Sequence, residues 1–288
     1  MPPESKILVT GANGQLGREL GELPGHYPGY TFMFTTREEL PLTDPGKLSA
    51  FFARHRPQYC INAAAYTAVD KAELQEEIAG VYAINADGVY TIASLCRQYN
   101  TRLVHVSTDY VFDGSADVPY KEDHPTHPIN IYGKSKLRGE EFALQLTDAV
   151  ILRTSWVYSA FGQNFVKTML RLLHERSEIK VINDQFGSPT YAADLAEAIL
   201  QIIRFPDWKK GIYHYTNDAI ISWFDFAVAI KKLSGSSCII NPISTSEYPT
   251  AANRPSYSVL DKTKIQQVFG INIKPWMDSL AACLLRLK

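Results

Sequence analysis

The sequence predicts an α/β fold, in which a doubly wound parallel sheet is followed by a smaller mixed α/β domain. Short, continuously apolar runs alternate with amphipathic stretches as far as about residue 160. Strands that are covered by helices on both faces have this continuous apolar pattern, so the alternation indicates a parallel sheet. Beyond residue 160 the alternation becomes irregular, which predicts the second, smaller unit.

The predicted strands of the first unit are compact apolar runs that end in glycine or polar residues. They occupy residues 6–10, 30–36, 58–64, 102–107 and 149–154. Amphipathic segments between these runs predict helices at residues 47–56, 80–99 and 134–146.

The second unit has a mixed pattern. Its predicted helices cover residues 164–175, 192–203 and 223–233, with a last helix from Pro275, and its predicted strands cover 179–182, 211–215 and 238–242. We therefore divide the chain into residues 1–160 and 161–288, and we expect some later segments to return to the first unit.

The composition excludes several classes of protein. The 288 residues are 45% hydrophobic and 20% charged, which is ordinary for a folded globular protein and unlike a disordered one. Lys and Arg number 29 against 30 Asp and Glu, so no basic excess favours nucleic acid or an anionic membrane. No apolar run approaches the roughly 18 residues of a membrane span, and the N-terminus has no signal-peptide pattern. Four widely separated cysteines are typical of reduced thiols, so we expect a cytoplasmic protein.

The first predicted strand ends in a glycine-rich loop. Gly11, Gly14 and Gly17 are spaced G-x-x-G-x-x-G, directly before a predicted helix. Gly11 permits a tight turn, Gly14 lets backbone N–H groups approach a pyrophosphate, and Gly17 lets helix and strand pack closely. The helix N-terminus adds positive partial charge, so the loop predicts a Rossmann dinucleotide site. The alternative is a tight turn with a purely structural role.

The end of the second predicted strand indicates which dinucleotide binds. An NAD-selective site usually has an acidic residue there, whereas this chain has Thr35, Thr36 and Arg37. Because Arg37 can pair with a 2′-phosphate, the sequence favours NADPH, with NADH as the second choice. In the alternative interpretation Arg37 is solvated and Glu38 or Glu39 takes the ribose. The following loop, which contains Leu42, is expected to lie beneath the adenine.

A tyrosine and a lysine lie one helical turn apart at the start of the 134–146 helix. Tyr132 and Lys136 are four residues apart and therefore share a helix face. A free tyrosine has a pKa of about 10, and we expect the Lys136 ammonium and a cationic nicotinamide together to lower the pKa of Tyr132 toward the working pH. Thr108, at the carboxyl end of the fourth predicted strand, is placed to hydrogen-bond a substrate carbonyl beside the phenol. A Y-x-x-x-K pattern alone is common, and Thr108 has a structural alternative as a strand cap.

Together these motifs resemble the extended short-chain dehydrogenase/reductase family over nearly the whole chain. Longer segments are similar to the branch of that family that reduces dTDP-linked 4-keto sugars. They are 62–73 (NAAAYTAVDKAE), 107–114 (STDYVFDG), 153–158 (RTSWVY), 183–190 (NDQFGSPT) and 254–255 (RP).

The resemblance implies roles for individual residues. The implied catalytic set is Thr108, Tyr132 and Lys136, with Asn85 as a supporting residue. The cofactor contacts it implies, combined with those of the glycine loop and the adenine side, are Gly11, Gly14, Gln15, Leu16, Gly17, Arg37, Leu42, Ala63, Ala64, Ala65, Tyr132 and Lys136. The implied substrate contacts are Thr108, Asp109, Tyr110, Trp156 and Arg254. Trp156 is alternatively a core residue, and residues 183–185 are alternatively a structural loop in which Asp184 caps a turn.

The implied activity is reduction of the 4-keto group of dTDP-4-dehydro-6-deoxy-L-mannose to dTDP-L-rhamnose, with Tyr132 as proton donor. One alternative is an epimerase or dehydratase of the same family, although Tyr110 stands where a dehydratase would have its acidic base. Another is a non-catalytic subunit resembling the regulatory subunit of methionine adenosyltransferase.

Some family members use carboxylates for a magnesium-linked dimer. Glu19 is a weak candidate for such a ligand, but Asp194 stands in for the usual Glu and no third carboxylate is evident near the C-terminus. We therefore expect no metal site, and a homodimer is left open.

Overall fold

The computed structural model describes residues 5–287. Its strands are β1 (Ser5–Thr10), β2 (Tyr30–Thr35), β3 (Tyr59–Asn62), β4 (Arg102–Thr108), β5 (Val150–Thr154), β6 (Val157–Tyr158), β7 (Glu178–Ile182), β8 (Phe186–Gly187), β9 (Thr190–Tyr191), β10 (Gly211–His214), β11 (Ile221–Ser222) and β12 (Ile239–Ile243). Its α-helices are α1 (Gln15–Gly21), α2 (Pro45–His55), α3 (Ile78–Tyr82), α4 (Gly88–Tyr99), α5 (Ile131–Leu146), α6 (Phe165–Glu175), α7 (Ala192–Arg204), α8 (Trp223–Ser234), α9 (Thr263–Phe269) and α10 (Trp276–Leu285).

Six strands form one parallel sheet in the order β2-β1-β3-β4-β5-β10. Apolar side chains of β1 alternate between its two faces: Ile7 and Val9 lie in one buried core with α1, α7 and α9, and Leu8 lies in the other with α2, α4 and α5. Helices on both faces of a parallel sheet are the predicted doubly wound arrangement, which is therefore confirmed.

A third core lies under the second part of the chain. Apolar faces of α6, α8 and α10 pack there with side chains of β7, including Val166, Phe226, Leu280 and Val181. Within residues 5–287, no helix combines the length and apolar character that a membrane crossing requires.

Residues beyond 160 contribute to the first sheet as well. β10 pairs with β5, and α7 packs its buried apolar face into the same core as α1. The chain thus crosses back after α6 and β7, because the apolar run of β10 extends the sheet at its β5 edge.

Most predicted strands and helices lie where the sequence places them, with ends that differ by a few residues. The helix α9 and the two-residue strands β6, β8, β9 and β11 were not predicted. Their pairing depends on partners distant in the chain, as when Ile221 pairs with Gly187, and a two-residue segment has no periodicity to reveal it.

One ion pair fixes α5 to the sheet. Arg153 on β5 donates from Nε to both carboxylate oxygens of Glu140 at 3.0 and 3.1 Å, and from Nη2 to Oε2 at 2.7 Å. Both side chains are at most 2% exposed. Because a buried charge without a partner is costly, each group requires the other.

We expect Arg153→Met to destabilise the protein by about 3–5 kcal/mol, because the Glu140 carboxylate loses its buried cation. Denaturant unfolding measures the loss. The control is Arg171→Met, which breaks the exposed Arg171–Glu175 pair and is expected to cost less than about 1 kcal/mol. Equal effects of the two substitutions would contradict this account.

Candidate active site

The glycine loop joins β1 to α1 at the carboxyl edge of the sheet. Gly11 has a φ of +72°, and a Cβ there would lie 2.8 Å from the backbone of Ala64. A Cβ on Gly17 would overlap the carbonyl of Gly11. The loop therefore packs against the β3 segment that carries Ala63, Ala64 and Ala65, and it leaves the N-terminus of α1 open toward the cleft.

A cavity of about 570 Å³ opens above the ends of β1, β3, β4 and β5. Its walls bring together most of the predicted site residues. Those lining it are Gly14, Gln15, Leu16, Ala63, Ala65, Thr108, Asp109, Tyr110, Tyr132, Lys136 and Trp156. Gly11, Gly17 and Ala64 shape the loop behind this wall instead.

Tyr132 and Thr108 meet inside this cavity. Tyr132 is the second residue of α5, and both its side chain and that of Thr108 line the cavity. Burial raises the pKa of Tyr132 to about 12, against the opposing effect of the Thr108 side chain. In the protein without its cofactor, desolvation of the phenolate therefore dominates the pKa of Tyr132. Tyr132 is a neutral phenol at physiological pH.

The amine of Lys136 is held on the sheet side of the cavity. Its Nζ donates to the carbonyl of Val106 at 2.6 Å and lies 3.5 Å from Nε2 of His105. Burial lowers the pKa of Lys136 to about 8, while the Glu140 carboxylate opposes that shift. Burial and the nearby Lys136 also lower the pKa of His105 well below its usual value, so the imidazole is neutral.

Asp109 and Tyr110 extend the polar wall beside Thr108. Thr108 donates to Asp109 Oδ1 at 3.1 Å, whereas the buried Oδ2 has no protein partner among the described residues. Burial raises the pKa of Asp109 to about 7. The ring of Tyr110 packs edge-on against Tyr132 with centroids 5.9 Å apart, and burial raises the pKa of its phenol far above 10. Asp109 and Tyr110 therefore form the part of the cavity wall next to Thr108.

Trp156 closes the opposite wall in a strained conformation. Its φ is +48°, a region that non-glycine residues rarely occupy. The indole stacks on Trp223 with ring centroids 3.6 Å apart, and Gly187 lies so close that a Cβ there would be 2.6 Å from the ring. Trp156 thus lines the cavity. Trp223 was missed by sequence reasoning, because nothing in its local pattern separates it from the apolar face of α8.

Arg254 lines a second, larger cavity of about 1,080 Å³ that also includes Trp223. Its guanidinium forms a two-pronged ion pair with Asp70, at 2.6 and 3.1 Å. Arg254 therefore lines the larger cavity, and it also lies close to Tyr110, whose ring packs on Tyr132. Asp70 was not singled out from the sequence, although it lies within the 62–73 segment.

The two residues predicted near the adenine side have different surroundings. Arg37 is exposed just after β2, next to Thr35, whose carbonyl accepts from Ala12 of the glycine loop at 3.1 Å. Leu42 is 6% exposed and packs in the core under α4, where Gly88 contacts it. Its side chain therefore does not line the cavity.

Asn85 ties the β3 loop to α5. It lies in a π-helical segment, Ala83–Asp87, between α3 and α4. Its Oδ1 accepts from the backbone of Tyr66 at 2.9 Å, and its Nδ2 donates to Ser135 at 3.0 Å. A widened helical turn at such a position is frequent near functional sites.

Residues 183–185 form a structural link. The Asp184 carboxylate accepts from the backbone and hydroxyl of Thr245, at 2.9 and 2.6 Å. Gln185 also contacts Thr245 and lines the larger cavity. Asp184 therefore caps a turn.

The carboxylates considered for magnesium do not fit a metal. Glu19 accepts from Ser159 at 2.5 Å and from Arg286 at 2.6 Å. Asp194 accepts from Lys274 at 2.7 Å, and from Asn217 and Ser279. Protein donors already use the oxygens of both groups, and residues 5–287 hold no cluster of three or more metal-binding side chains.

The chain is similar to a known protein family over almost its whole length. The family model for the RmlD substrate binding domain matches residues 5–288. A dTDP-4-dehydrorhamnose reductase of Aggregatibacter actinomycetemcomitans is 43% identical over 287 residues, covering 96% of this chain and 97% of that protein.

Two solved structures are similar throughout. A dTDP-4-dehydrorhamnose reductase of Clostridium acetobutylicum has a TM-score of 0.94 and 40% identity, covering 98% of this chain and 99% of the other. A dTDP-4-dehydrorhamnose reductase of Bacillus anthracis in complex with NADP has a TM-score of 0.93 and 39% identity, with the same coverage.

Lys136 gives the protein a measurable pH dependence. In the unfolded chain its pKa is near 10.5, and in the folded protein about 8. Between these values the unfolded state binds more protons, so stability rises with pH across the window, by about 2 kcal/mol from pH 8 to pH 10. We expect Lys136→Met to abolish this rise in denaturant unfolding of the protein without cofactor. The control Lys134→Met, at an exposed position of the same helix, should retain it; an unchanged rise in Lys136→Met would contradict the assignment.

Proposed function

The chain belongs to the RmlD substrate binding domain family, and we propose that it reduces the 4-keto group of dTDP-4-dehydro-6-deoxy-L-mannose to give dTDP-L-rhamnose. In this proposal NADPH is the reductant and Tyr132 is the proton donor. The observation that carries the chemistry is that Thr108, Tyr132 and Lys136 line one cavity together with the glycine loop. Relatives that are similar over nearly their full length are dTDP-4-dehydrorhamnose reductases, which supports this substrate.

The residues present fit the dinucleotide. Gly11 and Gly17 let the loop pack tightly against Ala64 and Ala12, and the open N-terminus of α1 suits a pyrophosphate. Arg37 would hold the 2′-phosphate, and Lys136 would hold ribose hydroxyls. When bound, NADPH supplies the hydride that reduces the carbonyl carbon.

Tyr132 supplies the proton. The carbonyl double bond becomes a C–O single bond, and the oxygen gains the negative charge that the phenol proton neutralises. Because burial keeps the pKa of Tyr132 at about 12, the phenol is protonated when the reaction begins, as a donor must be. Thr108 holds the same oxygen through its hydroxyl, and the Lys136 cation favours the phenolate that remains after transfer.

The surroundings of Tyr110 weigh against a dehydratase. Its buried phenol has a pKa far above 10 and cannot accept a proton as an eliminating base at neutral pH. The presence of Thr108, Tyr132 and Lys136 in one cavity likewise supports an enzyme over a non-catalytic regulatory subunit.

The acidic neighbours of Arg37 support its role toward NADPH. Glu39 accepts from the backbone of Thr36 at 2.9 Å, and hydrogen bonds from its own backbone and from Thr36 lower the pKa of Glu38. Both acids are thus engaged in a local turn, which argues against their holding the ribose.

We expect Tyr132→Phe to reduce kcat by roughly 10²–10⁴-fold, because the proton donor is lost while the cavity keeps its shape. The loss is measured as NADPH oxidation with the 4-keto sugar nucleotide, and NADPH affinity should remain that of the wild type. Tyr90→Phe, at an exposed position of α4, is the control. Turnover near the wild-type rate in Tyr132→Phe would exclude this donor.

We expect Arg37→Ala to raise the KM for NADPH by roughly tenfold and to leave that for NADH unchanged, because only NADPH carries the 2′-phosphate. Steady-state kinetics with each cofactor separate the two. Arg97→Ala, an exposed arginine at the C-terminal end of α4, controls for loss of positive charge. An equal rise in the KM for NADPH and for NADH would contradict the assignment of Arg37 to the 2′-phosphate.

A further inference from the structure

The first turn of α5, which carries Tyr132, is held by two side chains. The N–H of Ile131 donates to Glu73 Oε1 at 2.7 Å, and the N–H of Gly133 donates to Asn130 Oδ1 at 2.7 Å. These N–H groups have no partner within the helix. The position of Tyr132 therefore depends on where Glu73 and Asn130 are held.

Asn130 also makes a contact on its other side. Its Nδ2 donates to the carbonyl of Asn253 at 2.9 Å, and the residue is 1% exposed. A carboxamide offers an acceptor and a donor on one carbon, which neither Asp nor Ser provides in this geometry. The Asn130 side chain thus bridges α5 and the loop at residues 249–254.

That loop forms part of the wall of the larger cavity. Arg254, next to Asn253, pairs with Asp70, which lies three residues before Glu73. The contacts close a ring: Arg254 holds Asp70, Glu73 holds Ile131, and Asn130 holds Asn253. These contacts connect the 249–254 loop, which lines the larger cavity, to α5, whose Tyr132 lines the smaller cavity.

We propose that Asn130 is a positioning residue. It holds the 249–254 loop, which carries Arg254, in a fixed position relative to Tyr132. A sugar nucleotide carries a negatively charged diphosphate that Arg254 attracts, and its carbonyl must reach the phenol at the same time. Asn130 lines neither cavity, so it acts through the two segments that it joins. The proposal rests on the proposed function, because it assumes a substrate that spans both cavities.

A purely structural role predicts a different outcome. As an N-cap, Asn is replaced by Asp with little loss, because both accept the helix N–H. Asp cannot donate to the Asn253 carbonyl, and its charge would repel that oxygen. Asn130→Asp therefore keeps the cap and breaks the bridge, whereas Asn130→Ala loses both.

We expect Asn130→Asp to remain folded and to bind NADPH with unchanged affinity, with a lower unfolding temperature because its buried carboxylate faces the Asn253 carbonyl. Its kcat/KM for the 4-keto sugar nucleotide should fall at least tenfold, with a lower kcat and a higher KM for the sugar nucleotide. Asn130→Ala should show the same kinetic loss together with a lower unfolding temperature. Asn100→Asp, the same substitution at the exposed end of α4, is the control. Rescue of kcat/KM to within twofold of the wild type by Asn130→Asp would overturn the proposal.

Hydrogen–deuterium exchange tests the bridge without any turnover. In Asn130→Asp we expect amides at 249–254 to exchange at least tenfold faster, while those of α5 beyond its first turn exchange at the wild-type rate. Unchanged exchange at 249–254 would overturn the proposal. Absence of turnover in the wild-type protein would contradict the proposed function instead, and the exchange measurement would still decide the role of Asn130.

Discussion

The buried Arg153–Glu140 ion pair is the interaction on which the site depends most. It joins the middle of α5 to β5, at a depth where neither charge meets water. Glu140 also lies close enough to Lys136 to oppose the desolvation of its ammonium. One carboxylate therefore anchors the helix to the sheet and helps keep the lysine charged, so the position of α5 and the charge of Lys136 are set by the same group.

Above that anchor, the start of α5 is held from a different direction. Its first turn is fixed by the side chains of Glu73 and Asn130, and Asn130 in turn contacts the 249–254 loop, where Arg254 pairs with Asp70. The helix therefore has a rigid base within the sheet and an upper end whose position depends on the cavity walls. This difference between the two ends of α5 suits Tyr132, which needs firm support and must also adjust to a bound substrate.

Much of the fold follows from local sequence, because the strands of the sheet are continuous apolar runs and the glycine loop has a fixed spacing. The cluster of Thr108, Tyr132 and Lys136 could also be predicted, since each lies at a recognisable strand end or helix turn. The surroundings that set their chemistry could not. The burial that raises the pKa of Tyr132, and the contact of Lys136 with Val106, depend on packing between distant segments. Trp223 and Asn130 were missed for the same reason.

The stacked indoles of Trp156 and Trp223 have a consequence for observing this protein. Two parallel indoles with centroids 3.6 Å apart are electronically coupled, and such a pair gives a circular dichroism signal that isolated tryptophans lack. Because Trp156 lines one cavity and Trp223 lines both, a change in the angle between their planes would alter that signal. Circular dichroism of the Trp156–Trp223 pair can therefore follow a rearrangement of the cavity wall without an added label.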